Sequence, residues 1–574
     1  MLERPSRTAT AWSLGFNGWL LVLLVLLVLL SIVWFGTLGV RTLVPTDEGR
    51  YAEMAREMLA TGDWITTRLN GIKYFEKPPL QIWMTALAFK FFGLGEWQAR
   101  LWTALSGFAG IFLTGLAAMR MFGREIGVMA AAVLASCAFW GIGGHVSSLD
   151  MSLAAGMTLT LCGLLVAQTT KPVGSRARWM MICWAGMALA VLSKGLIGLV
   201  LPGLVLILYT AFARDWTIWK RLHFASGLTI FVLLAAPWFI LISMRNPEFA
   251  HFFFIHEHFQ RFTTHIHRRQ GAWHYFIPYL ILGLLPWIGV FVQSMRAAMH
   301  SSSRSMIAPT DASGDISGFQ PQKLLLVWSV VIFIFFSVSG SKLPAYILPI
   351  FPALAMMIAA YLAQAKRRDW WLLGGSAALV GIVLLVLTPQ LTRFAADATQ
   401  VADYQTSKPW LAAAGALLLA SAVAVLWWCW RKRENIALLA TLTLAGASLV
   451  AIQMLMLGSE PHGKARSGLP LVPAIAAELT PQTPLYAVGL YDQTLPFYLQ
   501  RTMILVLHPD ELEFGLQQEP SLWKPTLHDF VQSWQSGPKA VAVMRTDIFE
   551  GLRGYGIAMR EIARKGRQVV VVNR

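Results

Sequence analysis

The chain has 574 residues, 56% of them hydrophobic and 13% charged, with a mean hydropathy of +0.56 and a formal charge of +17. Soluble domains carry about 25% charged residues, so the composition specifies a polytopic α-helical membrane protein and excludes a soluble enzyme. The basic residues are scattered between apolar runs, which argues against nucleic acid as a partner and leaves cytoplasmic loops and anionic lipids to account for the charge.

Arg4 and Arg7 precede an apolar run from Trp19 to Gly36 that is long enough to span a bilayer. No small-residue cleavage signature follows it, so it reads as an uncleaved anchor with its N-terminus inside. Later spans are expected at about 98–119, 126–143, 150–168, 178–193, 195–213, 222–243, 274–296, 323–338, 345–363, 369–388, 409–430 and 436–457, or 13 spans in all. The apolar segment 78–93 begins with Pro78-Pro79 and carries Lys90. If it does not cross, the basic clusters around Arg120/Arg124, Arg176/Arg178, Arg214/Lys220/Arg221, Arg367/Arg368 and Arg431/Lys432/Arg433 all lie on the side of the N-terminus. That is the positive-inside pattern. Segment 78–93 is therefore expected to be a juxtamembrane helix, with stretch 46–93, Asp150, Lys194, the loop 244–273, Lys342 and the C-terminus on the outer face.

The four cysteines, Cys137, Cys162, Cys183 and Cys429, fall in apolar runs with no metal or disulfide spacing. Beyond Leu457 the composition changes. Short β-type runs at 484–489, 501–507, 539–544 and 568–573 alternate with helix-like stretches at 527–534 and 547–554. The expectation is a transmembrane catalytic domain over 1–457 followed by a small soluble α/β domain over 458–574. No nucleotide-binding fingerprint occurs in it.

Polar residues in so apolar a chain are costly to place and mark function. A helix is predicted to start after Thr46 as N-cap, with Asp47 and Glu48 in its first turn and a stop at Gly62. Asp47, Arg50 and Tyr51 share a face of it at i, i+3 and i+4, which gives either a compact polar site or a capped surface helix with an internal ion pair. Tyr74-Phe-Glu-Lys-Pro-Pro79 is a rigid turn presenting Glu76 and Lys77. Lys77 suits phosphate as a point charge, and a snorkelling interfacial lysine is the plainer reading. Asp150 starts a span, as a helix cap or as a second acid lining a cavity. Loop 244–273 holds His251, His256, His258, His265 and His267 with Arg261, Arg268 and Arg269. A cationic cradle for a lipid phosphate is the favoured reading, because arginine pairs bidentately with phosphate oxygens. A divalent cation such as zinc on Glu76, His256 and His258 is the alternative, without an H-E-x-x-H spacing. Lys194 and Lys342, the latter beside Tyr346, are lone cations between spans, where interfacial anchors are common.

As a set, Asp47-Glu-Gly-Arg-Tyr-Ala-Glu, Gly62-Asp-Trp, Tyr74-Phe-Glu-Lys-Pro, Glu257-His-Phe-Gln-Arg-Phe, Pro286-Trp and Lys342-Leu-Pro-Ala-Tyr-Ile-Leu resemble the lipid A 4-amino-4-deoxy-L-arabinose transferases of the GT-C, protein-mannosyltransferase-like superfamily. The resemblance runs in order through roughly the first 350 residues. It implies a GT-C fold in the bacterial inner membrane with a periplasmic site. It further implies transfer of the amino sugar from undecaprenyl phosphate to a lipid A phosphate, and resistance to polymyxin and cationic peptides. Asp47 would be the essential juxtamembrane carboxylate and Asp150 the second acid, although Met151 stands where a proline is expected. Arg50, Tyr51, Tyr74, Lys77, Lys194, Arg268, Lys342 and Tyr346 would bind substrate and its phosphates. The partners would be the undecaprenyl-linked donor, lipid A and membrane lipids, with a monomeric chain. A related lipid-phosphate-sugar transferase with another sugar or acceptor fits the same motifs. A lipid flippase would call for internal repeats and broken helices, and no clear repeat is found.

Overall fold

The computed structural model describes residues 16–170, 173–260, 271–300, 319–431, 436–507 and 509–574. Every expected span that falls among them is helical. Among the described residues, nine helices are at least 18 residues long and apolar enough to cross a bilayer, and a bent pair makes a tenth. The other expected spans are Arg124–Ser136 with Ala138–Gly143, Val173–Lys194 and Ile197–Ala213, which are shorter or carry charge. Two expected spans are not straight. Segment 274–296 folds as Phe276–Gly283 and Trp287–His300, bent by 104°. Pro286, which has no N–H to give a continuing helix, precedes the second arm. Segment 126–143 is interrupted at Cys137, whose backbone is extended. The helix Ala398–Trp430 runs 33 residues, about 50 Å at 1.5 Å per residue, and so overruns a hydrocarbon core of about 30 Å.

Between α1 (Phe16–Phe35) and α4 (Glu96–Phe122) the chain forms a polar insertion: α2 (Asp47–Thr61), the short antiparallel pair β1 (Arg68–Leu69) and β2 (Ile72–Lys73), and α3 (Leu80–Phe92). At 13 residues, about 20 Å, α3 is too short to span. Gly62 ends α2 in the left-handed conformation expected of it, at φ +71°, with its N–H on the Met58 carbonyl at 3.0 Å. Thr46 does not act as the expected side-chain cap. Its backbone is already helical and its hydroxyl makes no cap bond; instead the Glu48 carboxylate accepts the Val44 N–H at 3.1 Å.

The C-terminal part holds a mixed six-stranded sheet. Its strands are β3 (Leu485–Val488), β4 (Ile504–Val506), β5 (Trp523–Lys524), β6 (Val541–Arg545), β7 (Arg560–Lys565) and β8 (Gln568–Val572), in the order β5-β4-β3-β6-β8-β7. The first four pair in parallel and the β7–β8 hairpin antiparallel. β5 and β7 carry no apolar run and were not expected from the sequence. One face of the sheet (Tyr486, Val488, Ala542, Met544) is covered by Phe530, Trp534 and Phe549 from the two flanking helices. The other face (Leu485, Ala487, Val541, Val543) belongs to a cluster with Tyr51, Met54 and Met58 of α2 and Ile82 and Phe89 of α3. At about 1.5–3 kcal/mol per buried aliphatic side chain this seam is held chiefly by apolar burial. The rim pair Arg68–Glu519, 2.9 Å long and 27% exposed on both sides, adds at most about 1 kcal/mol.

Candidate active site

The insertion and the span ends enclose a pocket of roughly 270 Å³ lined by Asp47, Arg50, Tyr51, Glu76, Lys77, Asp150, Lys194, Phe336, Ser341 and Tyr346, among others. Its polar residues come from five separate parts of the chain: the start of α2, the turn after β2, the first turn of helix Leu149–Thr169, the last residue of helix Val173–Lys194 and the segment after helix Pro321–Val338. A larger cavity of about 670 Å³ between α1, α4, α5 (Arg124–Ser136) and Ile436–Gly458 is lined by apolar side chains and glycines. It offers no charge to a phosphate.

Within the polar pocket, Arg50 lies 3.5 Å from Asp47 and 2.5 Å from Glu511. Lys77 lies 3.7 Å from Glu76. Lys194 is ion-paired with Asp150 and sits 4.4 Å above the Tyr346 ring. Asp150 is thus no helix cap but a counter-charge inside the cavity. The Tyr74 ring lies 6.0 Å from the Arg50 guanidinium, behind the lining. The Tyr74 hydroxyl and Arg50 Nε are buried with no hydrogen-bond partner among the described residues, so two donors are held ready beside the pocket. Burial, and next the charges of Asp47 for Tyr51 and Glu76 for Tyr74, push both phenols well above their usual range. Both hydroxyls therefore stay protonated and able to donate.

Beneath this layer lies a buried clamp. Glu48 and Arg100 are both fully withdrawn from solvent. Arg100 Nε donates to Glu48 Oε1 and Nη2 to Oε2, each at 2.7 Å, and Arg100 also donates to the carbonyls of Leu38, Arg41 and Thr42. Glu48 Oε1 accepts the Ser147 N–H at 2.9 Å. Burial opposes the charge on Glu48, but Arg100 and these hydrogen bonds hold its carboxyl below the usual range. The clamp ties the residue after Asp47 to the loop three residues before Asp150. An acid and a cation at membrane depth were signals for it; Glu511, in the soluble part, had none.

Other expected residues are placed elsewhere. Lys342 is 5% exposed and does not line the pocket. It donates to the carbonyls of Ser337 at 2.6 Å and Ser339 at 2.9 Å, so it satisfies the end of helix Pro321–Val338 rather than meeting the phosphate expected of it. His256 stacks on Phe252 at 5.1 Å. The His258 side chain and Arg268 lie outside the described residues. Among those described, no three His, Cys, Asp or Glu side chains are grouped to hold a metal ion, so the divalent-cation reading rests on residues beyond them.

Two more acids face the soluble part from α2. Glu53 is bound by Arg56 through two bonds of 2.6 and 2.7 Å. Glu57 accepts the Gly71 N–H at 2.8 Å. Burial, reinforced by Glu53, raises the Glu57 carboxyl to about 8. A carboxyl raised in this way contributes stability that is full below its unfolded value near 4.5 and is lost as pH rises through 8. Glu57→Gln, which mimics the protonated form, is therefore expected to flatten the fall in thermal stability between about pH 5 and 8 and to raise stability at pH 8 by roughly 2–4 kcal/mol. Unfolding midpoints of parent and variant across that range test it; parallel profiles refute it.

Residues 471–573 match the family model for the aminoarabinose transferase C-terminal domain, and residues 19–253 that for dolichyl-phosphate-mannose-protein mannosyltransferase. Over 388 residues the chain is 31% identical to the undecaprenyl phosphate-alpha-4-amino-4-deoxy-L-arabinose arabinosyl transferase of Edwardsiella ictaluri, a match taking in 65% of this chain and 66% of that one. The enzyme of the same name from Aeromonas hydrophila is 31% identical over 369 residues, 61% of this chain and 63% of its own. The chain thus spans just under two thirds of the length of these curated relatives. The crystal structure of ArnT from Cupriavidus metallidurans bound to undecaprenyl phosphate superposes with a TM-score of 0.89 at 38% identity, over 98% of this chain and 99% of that one. Its apo form gives 0.87, also at 38% identity, over 97% and 98%. Agreement over nearly the whole length of both chains, membrane helices and soluble sheet together, shows that this protein belongs to the ArnT aminoarabinose transferase family.

Proposed function

We propose that the chain transfers 4-amino-4-deoxy-L-arabinose from undecaprenyl phosphate to a phosphate of lipid A, on the periplasmic face of a bacterial inner membrane. Modified lipid A is less anionic and binds polymyxin and other cationic peptides less. The observation that carries this reading is the pocket itself, where Asp47, Arg50 and Lys77 of the insertion meet Asp150 and Lys194 at the ends of membrane helices. The positive-inside distribution of the basic loops supports the periplasmic placement.

In the reaction an oxygen of the acceptor phosphate attacks the anomeric carbon, a C–O bond forms to it, and the C–O bond to undecaprenyl phosphate breaks. The nucleophile is already an anion and needs little help from a base. Positioning and stabilisation of the leaving phosphate carry the rate. Lys77 and Arg50 supply positive charge and the Tyr51 and Tyr74 hydroxyls supply donors. Asp150 fixes Lys194 over Tyr346 at the cavity wall. Asp47, at the mouth of the pocket, orients the acceptor, receives the sugar ammonium or takes a proton. The chain acts as a monomer on two lipid substrates.

Mass spectrometry of lipid A tests the reading, in cells that make the donor lipid but lack their own transferase. The parent chain is expected to add aminoarabinose and Asp47→Ala, at equal expression, to add none. A well-expressed parent that modifies nothing would move the assignment to another sugar or acceptor.

A further inference from the structure

The soluble part is more than an appendage to the membrane helices. Its segment Asp492–Thr494 lies directly on α2. A Cβ at Gly49 would come within 2.7 Å of the Gln493 carbonyl oxygen, 2.8 Å of its carbon and 2.8 Å of Thr494 Cγ2. Such contacts are closer than side chains adopt, so Gly49 is the residue that lets the two surfaces meet. One residue on, Arg50 is held at 2.5 Å by Glu511 of the soluble part, and Gln493 Nε2 reaches Glu511 Oε1 at 3.4 Å. A second anchor lies outside the pocket lining, beside the later turns of α2, where Glu57 accepts the Gly71 N–H. Asn70, at the tip of the β1–β2 turn and fully buried, donates to the Met503 carbonyl at 2.8 Å and accepts the Met503 N–H at 2.7 Å, pairing with the chain just before β4 as another strand would.

From this geometry, and resting on the transferase reading above, we infer that the soluble domain is a positioning part of the active site. Glu511 holds Arg50, and through it Asp47, at a distance set by the Gly49–Gln493 contact. The first turn of α2 is thereby fixed from two sides: Glu48 and Arg100 hold it from the membrane, and Gln493 and Glu511 from the soluble domain. A group that must meet two lipid phosphates in one orientation gains from being held on both sides, since a misplacement of about 1 Å can cost on the order of 10²-fold in rate.

The test compares Gly49→Val and Asn70→Gly with the parent chain in detergent or nanodiscs, measuring kcat and the KM for the undecaprenyl-linked donor at equal protein content. The first variant opens the seam at α2. The second removes both Met503 bonds, and its glycine accommodates the native φ of +57° at position 70. Both are expected to lower kcat by about 10-fold or more. Donor KM should stay within about twofold, because Lys77, Asp150, Lys194 and Tyr346 belong neither to the Gly49 seam nor to the Asn70–Met503 pair. Parental kcat in Asn70→Gly would overturn the inference, whatever Gly49→Val does to folding. So would a fall that tracks the loss of folded protein and raises donor KM in parallel, which a purely structural role produces. A folded parent that moves no sugar would overturn the functional reading and this inference with it; an active parent with unaffected variants overturns this inference alone.

Discussion

Asp47→Asn is expected to lower sugar transfer by about 10²–10⁴-fold while leaving the unfolding midpoint of the purified protein almost unchanged. The Asp47 side chain is 45% exposed at the pocket mouth, and its ion pair with Arg50 is long, at 3.5 Å. An exposed pair of that kind is worth about 0–1 kcal/mol, so the fold does not depend on it. Arg50 keeps its shorter contact with Glu511 in the variant. The orientation, charge or proton that Asp47 supplies to the substrates is lost with its carboxylate, whichever of the three it provides. A variant with parental turnover would remove Asp47 from the reaction, and one that unfolds early would show that the carboxylate is structural.

Glu48→Gln, one residue along, is expected to do the opposite first: destabilise the folded protein by about 3–5 kcal/mol. Glu48 is 1% exposed and Arg100 0%. Neutralising the acid leaves a guanidinium buried without a counter-charge, and the cost of that exceeds what the pair contributes as a pair. Turnover falls as a consequence, because Glu48 also anchors Ser147 ahead of Asp150. A double-mutant cycle with Arg100→Leu and Glu48→Leu separates the two effects. The double variant should recover much of the stability, since no charge remains stranded, but not the activity, since nothing then ties the Asp47 turn to the Asp150 loop. A Glu48→Gln protein as stable as the parent would mean that the Arg100 charge is met by its carbonyl partners alone.

The contrast between these neighbours shows where the sequence stops being informative. Spans, the end of α2 at Gly62, the non-spanning α3 and four of the strands in the soluble sheet were legible because each is written in local terms. They follow from apolar runs of sufficient length, a glycine where φ must be positive, and short β-branched runs between turns. The polar stretches around Asp47, Lys77 and Asp150 stood out because charge in an apolar chain has to be placed somewhere costly. The sequence left open which charge meets which. Asp47 and Glu48 look alike in the chain, yet one lines the pocket and the other is buried under it. Lys194 and Lys342 both read as lone cations at span ends. One pairs with Asp150 in the cavity and the other satisfies the carbonyls of its own helix. Glu511 carries no local sign of a role at all. Local residue patterns are enough to specify a membrane protein with a polar site and an α/β C-terminal end. The composition of that site comes from packing, because partners such as Glu48 and Arg100, or Arg50 and Glu511, are tens to hundreds of residues apart. Their electrostatic energy depends on burial and distance, and neither exists until the helices and the sheet have packed.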